Sequence, residues 1–291
     1  MSDDGLEDLA GWIGRAREVE DELTAPAMRR LAALLDREAV PLARGEAVLP
    51  HWIAVLFDDA APQSRLGPDG AALKGEFLPP VPLPRRMLAG RRIRYAAPPR
   101  IGDALVRRSE IAAITPKQGR SGRLVFVTVR HTIRGPAGVV AVEEQDIVYR
   151  EAATASGGRP AGPGGDRAEP WPAAAWQEEF RTDPVLLFRY SALGFNGHRI
   201  HYDLAYAREI EGYPGLVVNG GLSTLMLIEA GLRRAGAAML RRYAARTLRP
   251  LICGRPARLL GTAPDAHGAA LLWVEDESGA PALRLEVEYA A

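Results

Sequence analysis

From Gly221 to Leu232 the chain carries Leu222, Leu225, Met226, Leu227, Ile228, Ala230 and Leu232, which on a helix leave no wide polar face. A helix that is apolar almost all round has to be covered on most sides. No apolar stretch of the chain reaches the length that spans a bilayer, so the cover must be protein. A long central helix enclosed by a strongly curved antiparallel sheet meets that demand, and the search for the strands follows from it.

The strands are found in two sets. Residues 151–170 are a candidate linker, because 14 of the 20 are Ala, Gly, Pro or Ser and cannot bury enough apolar surface to order themselves. In the first half, helical patterns over Leu6–Asp21 and after Thr24, an N-cap followed by Pro26 in the first turn, precede strand patterns at Arg91–Ala97, Ala104–Ile114, Arg123–Ile133 and Val139–Arg150. The second half places a strand at Val185–Tyr190, a polar segment and the apolar helix. Further strands follow near Leu248–Cys253, Ala257–Thr262, Ala269–Val274 and Leu283–Tyr289. A weak internal echo supports duplication: Pro98 precedes Gly102 as Pro250 precedes Gly254, each ahead of a strand, and both halves end on a strand carrying a late tyrosine (Tyr149, Tyr289). The expected fold is α+β, a double hot-dog of two tandem curved antiparallel sheets, each wrapped around a central helix. Its boundaries are 1–150, a linker at 151–175, and 176–291.

Composition narrows the function. With 47% apolar and 25% charged residues and a net charge of +1, nothing favours nucleic acid or a membrane surface as partner. Arginine outnumbers lysine throughout (Lys74 and Lys117 are the lysines), so one arginine carries little information. The lone Cys253 excludes an internal disulfide and suits a reducing compartment; with no signal-peptide pattern at the N-terminus, the expectation is cytoplasmic.

Chemistry concentrates in Gly194, Phe195, Asn196, Gly197, His198, Arg199, Ile200, His201, Tyr202 and Asp203, followed by Asn219, Gly220 and Gly221 at the head of the apolar helix. Asn196 and His201 would lie about 140° apart on a regular helix, so they converge only if Gly194 and Gly197 turn the chain first. A lone histidine is more often a packed or capping group; two glycines, a second histidine and an aspartate in the same stretch point to a site. His198, His201 and Asp203 have partial metal-ligand spacing, but nothing completes a shell, so no metal is expected and His198 and Asp203 are read as supporting groups. Gly220, lacking a side chain, would let a substrate carbonyl reach an exposed N–H at the positive end of the helix, with Asn219 adding a donor or a cap. Eight arginines and no acidic residue fall between Arg233 and Arg258; most are read as a solvated face, with Arg241 and Arg246 among candidates for gripping coenzyme A phosphates or a substrate carboxylate. No glycine-rich phosphate loop occurs, which argues against nucleotide-dependent redox chemistry or phosphoryl transfer.

The stretch from Tyr190 to Leu222 resembles the MaoC-like, R-specific enoyl-thioester hydratases. Phe195–Asp203, Glu211–Val218 and Glu143–Arg150 resemble most the branch holding the type 2 hydroxyacyl-thioester dehydratases and the mesaconyl-C4-CoA (3-methylfumaryl-CoA) hydratases. The resemblance implies a cofactor-free carbon–oxygen lyase acting on acyl-CoA, with His201 as catalytic histidine, Asn196 in the place of the family aspartate and Gly220 as the thioester-carbonyl donor. His198 stands at the asparagine position and Arg199 at the proline; Asn219 replaces a histidine, and Gly221 stands where that branch would carry proline. Because an amide does not titrate, Asn196 can only fix the tautomer of His201 or hold the attacking water, leaving His201 to move the protons. The substrate reading is mesaconyl-C4-CoA, giving citramalyl-CoA. The alternatives are an R-3-hydroxyacyl-thioester dehydratase of fatty acid or polyketide metabolism and a catalytically inert acyl-thioester-binding module. A hot-dog thioesterase ranks lowest, with Glu229 as its one candidate carboxylate. The first half is expected to be non-catalytic and to supply part of the acyl pocket, and the partner expectation is a homodimer.

Overall fold

The computed structural model describes residues 8–38, 40–57, 60–119, 122–151, 171–236 and 238–290. The linker expected at 151–175 lies outside these residues except for its ends. Ten strands, β1 (Ala16–Glu22), β2 (Arg85–Tyr95), β3 (Ala104–Gly119), β4 (Gly122–Gly135), β5 (Gly138–Arg150), β6 (Trp176–Glu179), β7 (Met239–Thr247), β8 (Arg258–Gly261), β9 (Ala269–Glu275) and β10 (Pro281–Ala290), form one antiparallel sheet in the order β1-β3-β4-β5-β2-β7-β10-β9-β8-β6. Strands β2 and β7 join the halves, from Gly90 opposite Arg246 to Arg94 opposite Arg242. The helices are α1 (Ala25–Leu34), α2 (Pro184–Leu193) and α3 (Gly220–Ala235). The apolar sequence at 222–232 is α3, and Leu222, Leu227 and Ile228 are fully enclosed. One core cluster includes residues of α1, α2, α3, β2, β7 and β10, so the two halves share their apolar interior.

The duplication is legible residue by residue. Each half begins with an edge strand and a capped ten-residue helix. Thr24 Oγ1 accepts from Ala27 N in α1, and Asp183 Oδ1 accepts from Leu186 N in α2, with a proline in each first turn. Gly102 and Gly254 both adopt positive φ (+90° and +79°), and each donates its N–H to the carbonyl just ahead of the cap, Leu23 and Thr182. Isolated bridges Ala47–Arg100 and Val217–Ile252 occupy matching places. Three residues beyond each bridge the halves diverge: Gly220 opens the sixteen-residue α3, while Pro50 opens a six-residue 3-10 turn, Pro50–Val55. The long central helix therefore belongs to the second half, and its counterpart is one short turn.

Three sequence expectations are corrected. Within Leu6–Asp21, the described residues form a 3-10 turn (Asp8–Trp12) and then β1, a polar edge strand in which exposure alternates at every second residue (Glu18, Glu20, Glu22) instead of following helical spacing. Val185–Tyr190 is the body of α2; Asp183 and Pro184 form a helix start, and an apolar run this short does not separate the two states. The strand placed near Leu248–Cys253 is instead β7, and Ile252 makes only an isolated bridge.

Candidate active site

The loop after α2 is shaped by its own backbone. Phe195 takes a positive φ (+42°), Asn196 N–H donates to Ser191 O (2.8 Å), and Asn196 Oδ1 accepts from His198 N (3.0 Å). From the first half, the turn at residues 67–70 braces it: Arg199 N–H donates to Asp69 O (2.9 Å) and Arg199 Nη1 to Pro68 O (2.9 Å). Gly70, at φ +82°, lies so close to the Gly197 carbonyl that any Cβ there would collide with it. A 3-10 turn, Arg199–His201, follows; Arg199 then pairs with Asp203 (2.8 Å), whose other oxygen caps the next turn at Tyr206 N (3.0 Å).

His201 is buried, 7% exposed. Val217 N–H donates to Ile200 O (2.9 Å), and this brings the Val217 carbonyl onto His201 Nδ1 at 2.7 Å. A carbonyl only accepts, so Nδ1 carries the proton and Nε2 is left with a lone pair. Nε2 has no partner among the described residues and is not one of the buried orphan atoms. Burial, with the neighbouring His198 adding to it, pushes the imidazole down to about 4 despite the Val217 bond. His201 is therefore a neutral base with its acceptor nitrogen open. His198 stands edge-on to it, ring centroids 5.5 Å apart, and burial lowers that imidazole too.

The loop continues into α3 through Val218 and Asn219. Asn219 is buried at the N-cap, but its side chain makes no capping bond; Nδ2 donates to Ser191 Oγ (3.3 Å) and Oδ1 has no partner. Gly220 is exposed, with nothing within 4 Å of where a Cβ would stand, whereas a Cβ on Gly221 would strike the Tyr190 hydroxyl. The N–H groups of the first turn of α3 have no intrahelical partner, and the space beside Gly220 is open.

The expected residues are gathered only in part. His198 and His201 stand together, and His201 meets the segment that leads into α3 through the Val217 carbonyl. Asn196 is exposed and bonds its own loop, and the tautomer of His201 is set by the Val217 carbonyl. Arg199 is held by Asp203, Pro68 and the Tyr206 ring (4.1 Å). Arg241 is exposed and 3.5 Å from Glu288. Arg246 lies opposite Gly90, on the sheet face away from Arg91 and Tyr243. Sequence reasoning did not identify Val217, Tyr190 or the 67–70 brace. The Gly67, Pro68, Asp69, Gly70 run signals a turn, but nothing in it names the turn's partner. Among the described residues no three His, Cys, Asp or Glu side chains are placed to hold a metal, and no helix is long and apolar enough to cross a membrane.

Residues 50–253 match the family model of hydroxyacyl-thioester dehydratase type 2. The chain belongs to this family. As a type 2 hydroxyacyl-thioester dehydratase family member it is 40% identical, over 97% of its length and 98% of the relative's, to the mesaconyl-C4-CoA hydratase of Chloroflexus aurantiacus. It is 34% identical over 32% of its length to the mitochondrial hydroxyacyl-thioester dehydratase type 2 of Schizosaccharomyces pombe, covering 31% of that protein. Among solved structures, a MaoC-like dehydratase from Phytophthora capsici superposes with TM-score 0.68 at 14% identity, covering 98% of each chain. A Mycobacterium tuberculosis protein described as a double hotdog fold gives 0.60 at 14% identity, over 95% and 96%. The fold is the double hot-dog, and the family's chemistry is that of a carbon–oxygen lyase.

Proposed function

We propose that this chain hydrates mesaconyl-C4-CoA to citramalyl-CoA, with His201 as the group that moves protons. The observation that carries the proposal is the 40% identity to a mesaconyl-C4-CoA hydratase over nearly both chains, joined to an imidazole held neutral with Nε2 open. In the reaction, Nε2 takes a proton from water as the oxygen bonds to the β-carbon, and the double-bond electrons move onto the thioester oxygen. Backbone N–H groups at the head of α3, Gly220 foremost, stabilise that enolate, and the imidazolium returns its proton to the α-carbon. The low proton affinity of a buried imidazole suits the return step. The first half reads as non-catalytic, since its buried histidines are engaged elsewhere: His51 with Glu229 (2.7 Å) and His131 with Ser109 (2.7 Å). Glu229 is committed to that contact, which removes the support for a thioesterase. A cytoplasmic, homodimeric enzyme without cofactor completes the reading.

The test mixes the purified protein with mesaconyl-C4-CoA and follows loss of the conjugated double bond and release of free thiol. Hydration without thiol is expected; thiol release marks a thioesterase, and binding without change marks an inert module. Preferred turnover of long-chain enoyl-CoA would move the assignment to the fatty-acid-type dehydratase, the reading closest to the family description.

Two further outcomes follow. Since His201 sits near 4 instead of 6.5, the acid limb of kcat/KM is expected well below pH 6, with a flat profile from pH 6 to 8; a midpoint at 6.5 or above contradicts the buried base. The same lowering means that the unfolded chain binds the proton more tightly. Stability from His201 is thus full above about pH 6.5 and is lost as pH falls toward 4, readable as a falling urea midpoint. The second concerns Gly220→Ala. No atom opposes the new methyl in the free protein, so the unfolding midpoint should hold, while kcat/KM falls roughly 10²-fold because the thioester is displaced. Equal turnover by this variant places the carbonyl elsewhere.

A further inference from the structure

The concave face of the first half is not filled by a helix. Beyond the Pro50–Val55 turn the structure leaves a cavity of about 40 Å³, walled by the end of that turn, by the inner faces of β2 to β5 and by β7. This is the place that a full-length counterpart of α3 would occupy, and its lining is not apolar. Arg91, Arg107 and Glu143 face into it together with the hydroxyl-bearing Tyr95 and Tyr243. Arg91 Nε lies 2.6 Å from Glu143 Oε1, and the Arg107 guanidinium stacks over Phe57 at 5.3 Å. Among the described residues the charged lining is thus two guanidiniums and one carboxylate. Packing an aliphatic acyl chain against these groups would strip their water and return no hydrogen bond. A carboxylate entering the same space replaces the water with charge-assisted bonds in the planar geometry guanidinium favours.

The cavity also has a neighbour in the candidate active site. Tyr190, on α2, has its hydroxyl against Gly221 in the first turn of α3, and that phenolic group acts electrostatically on Arg91. Tyr190 therefore adjoins the head of α3 and acts on one of the cavity's two arginines.

We infer that this cavity seats a free carboxylate of the acyl group, with Arg91 and Arg107 as its donors. The inference rests on the hydratase reading and extends it: specificity for a dicarboxylic acyl group resides in the half that does no chemistry, in the room left by its shortened helix.

Binding of unreactive saturated thioesters tests it without turnover. The probes are methylsuccinyl-CoA, linked through the carboxyl distant from the methyl branch, and isovaleryl-CoA, in which a methyl replaces the free carboxylate. The wild type should bind the first more tightly by roughly 30-fold or more, the scale of one desolvated charge contact. Arg107→Met, which leaves the Arg91–Glu143 pair in place, should remove most of that preference and leave isovaleryl-CoA binding unchanged. Arg91→Lys keeps the charge beside Glu143 but loses the planar fork, and should weaken methylsuccinyl-CoA alone. Equal wild-type affinities overturn the inference, as do variants that weaken both probes alike. A wild type that hydrates mesaconyl-C4-CoA yet shows no preference removes this seat and keeps the hydratase; preference without hydration does the reverse.

Discussion

His201→Ala is expected to lower kcat/KM for hydration by a factor on the order of 10²–10⁴, the usual worth of a positioned general base. The physical reason is narrow. The base is a single nitrogen, Nε2, whose lone pair exists because the Val217 carbonyl claims the proton on Nδ1, and Asn196 cannot take over because its amide does not titrate and its oxygen is already bonded to the loop. His201→Asn sharpens the test, since an asparagine amide can still donate to the Val217 carbonyl while offering no base. Both variants should keep the wild-type near-UV circular dichroism and bind saturated thioesters. Substantial hydration by His201→Asn would sink the assignment.

Glu229→Ala is expected to cost about 3–5 kcal/mol of stability, the range for breaking a buried ion pair by removing one partner. Glu229 points from α3 toward the first half and is 2% exposed. One carboxylate oxygen takes His51 Nε2 (2.7 Å) and Trp52 Nε1 (2.9 Å), and the other takes Arg37 Nε (2.6 Å). Burial works to raise this carboxyl, but the His51 and Trp52 bonds and the Arg37 charge prevail and carry it down to about 2. The contribution is therefore present above the ordinary carboxylate range near 4.5 and disappears as pH drops toward 2. Without the carboxylate, two buried donors, His51 and Trp52, and the half-buried Arg37 lose their acceptor at once. Urea unfolding monitored by tryptophan fluorescence reads the loss; a change within about 0.5 kcal/mol, the size of an ordinary surface substitution, would show that the network is dispensable.

The parts of the fold that could be read from sequence were those in which one signal stood alone. The apolar residues at 222–232 have no competing interpretation, and the alternation in Leu124–Ile133 fits β4, where Val125, Val127 and Val129 are buried. Errors arose where two signals disagreed. The apolar run at Val185–Tyr190 suggested a strand, though Asp183 and Pro184 already marked a helix start. In β7, Arg241, Arg242 and Arg246 suggested a solvated stretch, because a strand that joins two halves can still show water one face. At the candidate site, the motif pointed to His201 and Gly220, but not to the groups that hold the loop and the imidazole. The Val217 carbonyl and the 67–70 turn act through backbone atoms, and backbone atoms leave no residue-type signature. The shortened helix of the first half was equally invisible, since His51, Trp52 and Ile53 look like any apolar stretch until the bridges at Ala47 and Val217 are compared.

The two outermost strands have a consequence for how copies of this protein can meet. β1 offers Arg17, Glu18, Glu20, Asp21 and Glu22 at one border, and the four residues of β6 end in Glu178 and Glu179 at the other. Acidic, short borders repel a matching strand from another molecule, so the sheet stops at ten members and fibre-like extension is resisted. Self-association by strand pairing at these borders is thereby disfavoured, leaving the backbone ladder within one polypeptide.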